Sequence, residues 1–349
     1  MTEIDGERSP KAASSDAAFV FLESFPRASA FELAGKLLVI DCDQPAVARE
    51  LFVAFGSGRP AGQRDRRQAF MLVELVRARP DALALAIYHD GTAVPPQRVF
   101  FGLAHPHCPY RSVRERSGWT QLLVGDDPAI QFSFDNKSCF VHRTDVWPQA
   151  VVSAVMRIFR RLADDVIFIH SSAVGVGGRA VLFVGPPNSG KSTIALALTA
   201  RRHELLSDEF GCLEPATGNV LPFRRPVGVR PGPRAAAVDV ALAQARAVED
   251  RDSLRVDVGT LLPLTPERAL PLGAIVFLDG FAPEPSFRDV APGYKEVGAL
   301  VSADASMSDV STARRTFTLM QLLAKARVGY LNPGDPDRTA IYLEEVFRS

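Results

Sequence analysis

The sequence predicts an α/β carboxyl-terminal domain that follows an α+β amino-terminal domain. Two observations predict the first of these: an apolar segment, Arg179 to Val184, leads into a glycine-containing loop, and an apolar-periodic segment, Lys191 to Arg202, follows the loop. A third observation is the length of 349 residues, which exceeds the usual size of one domain. We therefore expect two domains that meet near residue 150.

The amino-terminal part is expected to consist of a tail and one α+β domain. Residues 1–16 are rich in Ser, Ala and charge and predict a disordered tail. Residues 17–148 combine strand and helix patterns. The predicted strands are Leu37–Ile40, Ala82–Tyr88, Arg98–Leu103, Trp119–Val124 and the stretch Ile130–His142, which turns near Asp135 and Asn136, and the predicted helix is Ala46–Phe55.

Residues 149–349 are expected to form the α/β domain. Apolar residues at helical spacing from Gln149 to Leu162 predict an amphipathic helix that joins the two domains. The other predicted elements are strands at Val166–Val174, Arg179–Val184, Leu205–Leu206, Ala274–Leu278 and Val328–Leu331, and helices at Lys191–Arg202, Ala235–Val248, Thr312–Ala326 and Asp337–Phe347.

Composition excludes several classes of protein. A formal net charge of zero with 47% hydrophobic residues is typical of a soluble globular protein, and argues against partners such as nucleic acid or a membrane surface. The four cysteines (Cys42, Cys108, Cys139, Cys212) contain no CxxC pair, so neither a zinc ribbon nor a disulfide framework is predicted. The polar amino terminus and the lack of a run of about 18 apolar residues favour a cytoplasmic location.

The loop after Val184 matches the phosphate-loop pattern in full. We expect this loop and Thr193 to bind ATP, because its glycines let backbone N–H groups surround the β-phosphate at a helix amino terminus. Lys191 would reach the β- and γ-phosphates, and the Ser192 hydroxyl would ligate Mg²⁺. A tightly packed glycine turn is the alternative, but it does not explain the Lys-Ser pair. The loop residues are Gly185, Pro186, Pro187, Asn188, Ser189, Gly190, Lys191 and Ser192.

An acidic pair, Asp208 and Glu209, ends the next predicted strand. Strand carboxyl ends gather at the ligand crevice of a parallel sheet, so the pair is expected beside the γ-phosphate. One carboxylate could hold Mg²⁺ while the other accepts a proton; a solvated turn or a helix cap is the alternative. Motor ATPases usually place their acidic strand farther along the chain. A GTPase would need an Asn-Lys-x-Asp motif after the loop, where the chain has none.

These segments resemble the catalytic domain of HPr kinase/phosphorylase, a family related in fold to phosphoenolpyruvate carboxykinase. The resemblance is carried by Ile169–Val174, the loop itself, Ala195–Leu198 and Arg202–Asp208. It implies a P-loop kinase-like fold in which His170 lies near the phosphates. It also implies that Asp208 is the base for an acceptor hydroxyl, and that Glu209, at the position of the family's second Asp, is a metal ligand with Ser192.

The segment Phe223–Arg230 departs from the family's later signature, in which an acidic residue precedes Arg-Gly. Phosphorolysis and the HPr substrate are therefore not implied. The variant resembles HPr-kinase-related enzymes found beside peptide-modification genes, some of which phosphorylate a serine of a peptide. Arg225 and Arg230 could contact phosphate or substrate, although a surface role is equally compatible with so Arg-rich a chain.

The sequence thus predicts an ATP- and Mg²⁺-dependent kinase with catalytic residues Asp208, His170 and Lys191. The expected acceptor is a Ser or Thr hydroxyl of a peptide or protein, with residues 17–148 recognising it. The family's oligomers also suggest a homo-oligomer. Two alternatives stay open: a nucleotide-gated binding or chaperone-like component with weak or no ATPase activity, and a kinase of a small metabolite.

Overall fold

A computed structural model shows a mixed α/β architecture with several sheets, which confirms the predicted mixture of elements. The predicted tail, residues 1–16, and the predicted strand Arg98–Leu103 lie outside the described residues. The structure describes residues 27–42, 48–56, 58–79, 82–96, 110–124, 126–133, 138–142, 152–245, 247–250, 253–257, 259 and 268–347.

The amino-terminal region forms a ten-stranded sheet. Its strands are β1 (Ala28–Leu33), β2 (Lys36–Cys42), β3 (Arg59–Pro60), β4 (Met71–Arg79), β5 (Ala82–His89), β6 (Thr92–Ala93), β7 (Tyr110–Arg114), β8 (Trp119–Val124), β9 (Asp127–Ser133) and β10 (Cys139–Val141). Their order is β3-β1-β2-β4-β5-β10-β9-β8-β7, with β6 beside β5. Every pairing is antiparallel except that of β2 with β4. Helices α1 (Ala48–Phe55) and α2 (Gln63–Gln68) belong to this region.

The carboxyl-terminal region contains an eight-stranded and a three-stranded sheet. The strands are β11 (Ile167–Val176), β12 (Arg179–Val184), β13 (Glu204–Ser207), β14 (Phe210–Glu214), β15 (Asn219–Leu221), β16 (Val227–Val229), β17 (Ala247–Asp250), β18 (Ser253–Val256), β19 (Leu270–Leu278), β20 (Ser286–Asp289) and β21 (Arg327–Asn332). The helices are α3 (Ser153–Leu162), α4 (Lys191–Ala200), α5 (Ala236–Leu242), α6 (Tyr294–Ser302), α7 (Thr312–Lys325) and α8 (Pro336–Phe347).

Strand pairing brings several chain segments to one edge of the eight-stranded sheet. β12 pairs antiparallel with β11 and parallel with β19. β13 pairs antiparallel with the other edge of β11, and β21 pairs parallel with β19. β12, β13, β19 and β21 therefore point the same way, and the segments that follow them meet at a common edge.

The strand before the loop lies between two hydrophobic cores. Val181 and Phe183 of β12 pack into one core, and Leu182 and Val184 pack into the other. Alternate side chains of a strand point to opposite faces of the sheet. Because these four successive residues of β12 are all apolar, both of its faces are buried. Helix α4 is likewise buried almost all round, which fixes the position of the loop between these two elements.

Several sequence predictions are corrected by the structure. The predicted helix Ala235–Val248 is wrong beyond Leu242, because Ala247 begins β17, which forms a hairpin with β18. The sequence also predicted that the strands bearing the loop and the acidic pair belong to a parallel sheet. Instead β11 lies between β12 and β13, and these two strands are parallel because each is antiparallel to β11.

The two regions of the chain share one hydrophobic cluster. It contains Phe31 and Leu33 from β1 together with Phe159 from α3 and Phe223 from the carboxyl-terminal region. The N–H of Ala34 also donates to the carbonyl oxygen of Pro222 at 2.7 Å. Contacts of this kind fix the amino-terminal sheet against the region that carries the loop. Within the described residues, no helix is both long and apolar enough to cross a membrane.

Candidate functional site

The loop between β12 and α4 has the backbone of an anion-binding turn. Gly190, directly before α4, has φ 93°, and Asn188 has φ 64°. Gly185 is also sterically required, since a Cβ atom built there would lie 2.8 Å from the Ser189 hydroxyl oxygen and 3.1 Å from Cβ of Leu278. Gly185 is required because a side chain would not fit there, and Gly190 is required because its backbone is left-handed.

The loop presents donors that a phosphate can use. The first N–H groups of a helix have no partner within the helix, and the dipole places positive potential there. The Ser189 hydroxyl oxygen is buried and has no hydrogen-bond partner among the described residues. An orphan hydroxyl inside a loop of this shape fits a bound phosphate oxygen, because buried polar atoms are normally hydrogen-bonded.

Lys191 is folded back onto the loop. Its ammonium donates to the carbonyl oxygens of Gly185 at 2.7 Å and Pro186 at 2.9 Å. Burial lowers the pKa of this ammonium, and the nearby charge of Asp208 acts in the opposite direction. The side chain is therefore held at the loop, next to the position at which β- and γ-phosphates would lie.

Asp208 follows β13 and lies at the base of the same cleft. Its carboxylate accepts a hydrogen bond from the Ser172 hydroxyl at 3.2 Å, and the Ser192 hydroxyl lies close enough to favour its charged form. Burial raises the pKa of Asp208 to about 6, against the lowering effect of these two hydroxyls. A carboxyl with a pKa in this range can take a proton at neutral pH and release it again.

Glu209 is bound to an arginine that also contacts the amino-terminal region. Arg225 Nη1 donates to the Glu209 carboxylate at 2.6 Å, and its Nε donates to the Ala54 carbonyl oxygen at 2.5 Å. Its guanidinium also lies 5.8 Å from the centroid of the Phe55 ring. Arg225 thus links the end of α1 to the second acidic residue of the site.

His170 and Arg230 also line the cleft. The N–H of His170 donates to the Ala303 carbonyl oxygen at 2.8 Å. Burial, followed by the charge of Lys191, lowers the pKa of its imidazole, which favours the neutral form. Arg230 Nη1 donates to the Asn188 side-chain oxygen at 2.5 Å, which places its guanidinium directly on the phosphate loop.

These residues line one cleft of about 710 Å³. It brings together the loop from Pro187 to Thr193 with His170, Asp208, Glu209, Arg225 and Arg230. Gly185 and Pro186 are not among its lining residues, although they are the carbonyl partners of Lys191. A cleft of this volume falls within the usual range for small-molecule sites.

Several residues of the site were missed by the sequence reasoning. Arg255, on β18, lines the cleft, and its charge lowers the pKa of Asp208. Ser172, on β11, holds the Asp208 carboxylate, and Phe281 lies beside Gly190. No local motif marks these residues, because strand pairing alone brings them to the loop.

Asp279 is a further acidic residue at this edge of the sheet. It follows four apolar residues of β19, the strand parallel to β12, which is where P-loop ATPases place their metal-binding Asp. Its side chain is exposed and is not among the residues that line the cleft. Asp208 and Glu209 are therefore the better placed carboxylates.

The oxygen donors of the cleft fit Mg²⁺. Ser192, Asp208 and Glu209 offer hydroxyl and carboxylate oxygens, which are the ligands this ion prefers. Among the described residues, no group of three His, Cys, Asp or Glu side chains could hold a metal ion by itself. Mg²⁺ is usually held by one or two carboxylates together with substrate phosphates.

Comparisons with known proteins give a distant likeness. No family model matches the chain, and no curated protein matches it. Among solved structures, the HPr(Ser) kinase/phosphatase from Coxiella burnetii is similar at 15% sequence identity, with a TM-score of 0.25. The match covers 52% of this chain and 93% of that chain. A likeness of this degree carries no argument about the chemistry of the cleft.

Proposed function

We propose that the chain is an ATP- and Mg²⁺-dependent kinase that transfers the γ-phosphoryl group to a Ser or Thr hydroxyl of a peptide or protein. One observation carries the proposal: the Asp208 carboxylate, held by the Ser172 hydroxyl, lies in the same cleft as the phosphate loop and Ser192. A proton acceptor beside a phosphate site is what transfer to a hydroxyl requires.

The residues have distinct roles in the proposed reaction. Backbone N–H groups of the loop and Lys191 bind the β- and γ-phosphates and stabilise the charge on the transferred group. The oxygen of the acceptor hydroxyl bonds to the γ-phosphorus, and the bond from that phosphorus to the ADP oxygen breaks. Asp208 accepts the proton that the hydroxyl loses. Ser172 holds the carboxylate in place, and His170, being neutral, can hydrogen-bond to a phosphoryl oxygen.

Mg²⁺ would be held by Ser192 and Glu209, and would neutralise charge between the β- and γ-phosphate oxygens. Glu209 is ion-paired with Arg225, so its two oxygens can serve the guanidinium and the metal together. Arg225 and Arg230 supply positive charge to the cleft, where they can contact phosphate or acceptor.

A peptide or protein acceptor is favoured by the surroundings of the cleft. The segment from Phe223 to Arg234 is rich in Arg and Pro and borders the cleft, and cations there could bind acidic groups of a chain. The amino-terminal region reaches the same place, because the Ala54 carbonyl oxygen binds Arg225. Binding remote parts of a substrate in this way supports transfer at the reacting hydroxyl.

A γ-phosphate transfer assay tests the proposal. The intact protein is incubated with Mg²⁺, labelled ATP and candidate peptides encoded by neighbouring genes, and the labelled products are separated. We expect label on a Ser or Thr of a peptide, and none with Asp208→Asn. Label only on a free metabolite would replace this function with a small-metabolite kinase. ATP binding without any transfer would favour the nucleotide-gated binding component.

A further inference from the structure

An exposed aromatic side chain stands beside the phosphate loop. Phe281 follows β19 and is 68% exposed. A Cβ atom built on Gly190 would lie 3.4 Å from Cε1 of its ring, so the ring lies at the entry of α4. The ring also lines the cleft, which places an uncovered aromatic face within reach of any ligand of the loop.

The backbone that carries Phe281 is held in place. The N–H of Ala282 donates to the Pro333 carbonyl oxygen at 2.9 Å. Gly334 packs closely below, since a Cβ atom there would lie 3.1 Å from the Ala282 carbonyl oxygen. An ion pair of 2.5 Å between Glu284 and Arg338 joins the same segment to α8. The ring therefore projects from an anchored segment, which reduces the ordering cost of binding a ligand against it.

The order of the strands determines which part of a nucleotide can reach this ring. At the common edge, Asp208 lies beyond β11 on one side of Gly185, whereas Phe281 and Gly334 follow β19 and β21 on the other. In the proposed reaction the γ-phosphate faces Asp208. The nucleoside then leaves the loop on the opposite side, towards Phe281.

Among the described residues, the side chains on that side suit an aromatic base and offer it no charged or amide group. The cleft-lining residues there are Phe281, Pro333, Gly334, Pro336 and Thr339. None of these five has a charged or amide side chain, and Thr339 is fully buried, with its hydroxyl oxygen accepting the N–H of Gly334 at 3.0 Å. An aromatic ring binds any base by its π-face, whereas a choice among bases requires hydrogen bonds to base edges.

We propose that Phe281 is the stacking platform for the nucleobase of the bound triphosphate, and that ATP and GTP are therefore bound with similar affinity. This inference rests on the proposed function and adds the recognition of the base to it.

Calorimetry on the intact protein with Mg²⁺ tests the inference with three probes: ATP, GTP and inorganic tripolyphosphate, which has no base. We expect Phe281→Ala to weaken ATP and GTP about tenfold each, because loss of one aromatic stacking contact has an effect of about this size. Tripolyphosphate should bind equally well to wild type and variant. Phe281→Tyr should behave as wild type. Phe317→Ala, which removes a 61% exposed ring on α7, is the matched control and should change none of the three affinities.

Three results would overturn the inference while leaving the phosphate site intact. In the first, Phe281→Ala binds ATP as tightly as the wild type does. Another is an equal loss of tripolyphosphate binding, which would mean that the ring shapes the loop rather than binding the base. The third is a preference of the wild type for one of ATP and GTP by more than about a hundredfold, which would require reading of base edges. If the wild type binds neither ATP nor tripolyphosphate, the proposed function itself fails.

Discussion

Replacement of Asp208 by Asn is expected to stabilise the fold at alkaline pH while it abolishes phosphoryl transfer. The pKa of this carboxyl is about 6 in the folded protein, because burial disfavours its charged form. An ordinary Asp has a pKa of about 3.9, and one pH unit corresponds to about 1.36 kcal/mol. The folded state is therefore destabilised by about 3 kcal/mol wherever the carboxyl is ionised in both the folded and the unfolded state.

The pH dependence of this effect follows from the direction of the shift. Below pH ~4 the carboxyl is protonated in both states, and it imposes no penalty on the fold. Between about pH 4 and pH 6 the unfolded chain has lost the proton while the folded protein still holds it, so the free energy of unfolding of the wild type falls across this range and stays low above it. Asn has no charge and can accept the same hydrogen bond from Ser172, so the variant escapes this loss.

Urea unfolding at pH 4.5 and pH 8 measures the difference between the two proteins. We expect the variant to exceed the wild type by about 1 to 3 kcal/mol at pH 8, and by much less at pH 4.5. In the transfer assay the same variant should lose about 10²- to 10⁴-fold in rate, which is the usual contribution of a positioned base. Gain of stability with loss of activity is the expected signature of a functional residue.

Asp309→Asn is the matched control. Asp309 pairs with Arg161 at 3.2 Å, but its side chain is 84% exposed. Surface ion pairs contribute about 0 to 1 kcal/mol, so this variant should differ little from wild type at either pH. A variant at Asp208 that is no more stable than wild type at pH 8 would refute the raised pKa. One that transfers phosphate at the wild-type rate would refute its role as the base.

Three further predictions concern the same cleft. Lys191→Ala should weaken ATP binding about 10- to 100-fold in calorimetry, since it removes a charged donor to the phosphates, whereas Lys325→Ala should not. Gly185→Ala should lose ATP binding with the fold retained by circular dichroism, because its Cβ would lie 2.8 Å from a hydroxyl oxygen of the loop. Gly298→Ala, where a Cβ meets nothing within 4 Å, should bind ATP normally. Finally, kcat/KM for ATP should rise as the pH passes about 6, where Asp208 ionises; a flat profile there would contradict its role.

The loop and its flanking elements could be predicted because their chemistry is local. Phosphate binding requires glycines, a lysine and a hydroxyl at fixed spacing, and the strand and helix on either side are confirmed at Arg179–Val184 and Lys191–Ala200. The sequence also predicted Asp208 beside the loop, although it expected a parallel sheet and not an antiparallel strand between the two. The placement survives because β12 and β13 point the same way on either side of β11.

Other parts of the site depend on pairings that the sequence does not display. The segment Ala235–Val248 has the composition of a helix, yet Val248 pairs with Arg255 in the hairpin of β17 and β18. Tertiary pairing outweighs intrinsic helix propensity there. The same hairpin brings Arg255 into the cleft, 47 residues after Asp208, and no spacing rule could connect the two.

The shared core bears on how the role of the amino-terminal region can be tested. Deletion of residues 17–148 would expose Phe159 and Phe223, which belong to the same buried cluster as Leu33 of β1. Exposure of large buried side chains costs about 1.5 to 3 kcal/mol each, so the remainder would be destabilised whether or not the region recognises an acceptor. Loss of activity on deletion therefore cannot separate recognition from folding. Because the region meets the cleft through Arg225, its part in recognition has to be tested by single substitutions in the intact chain.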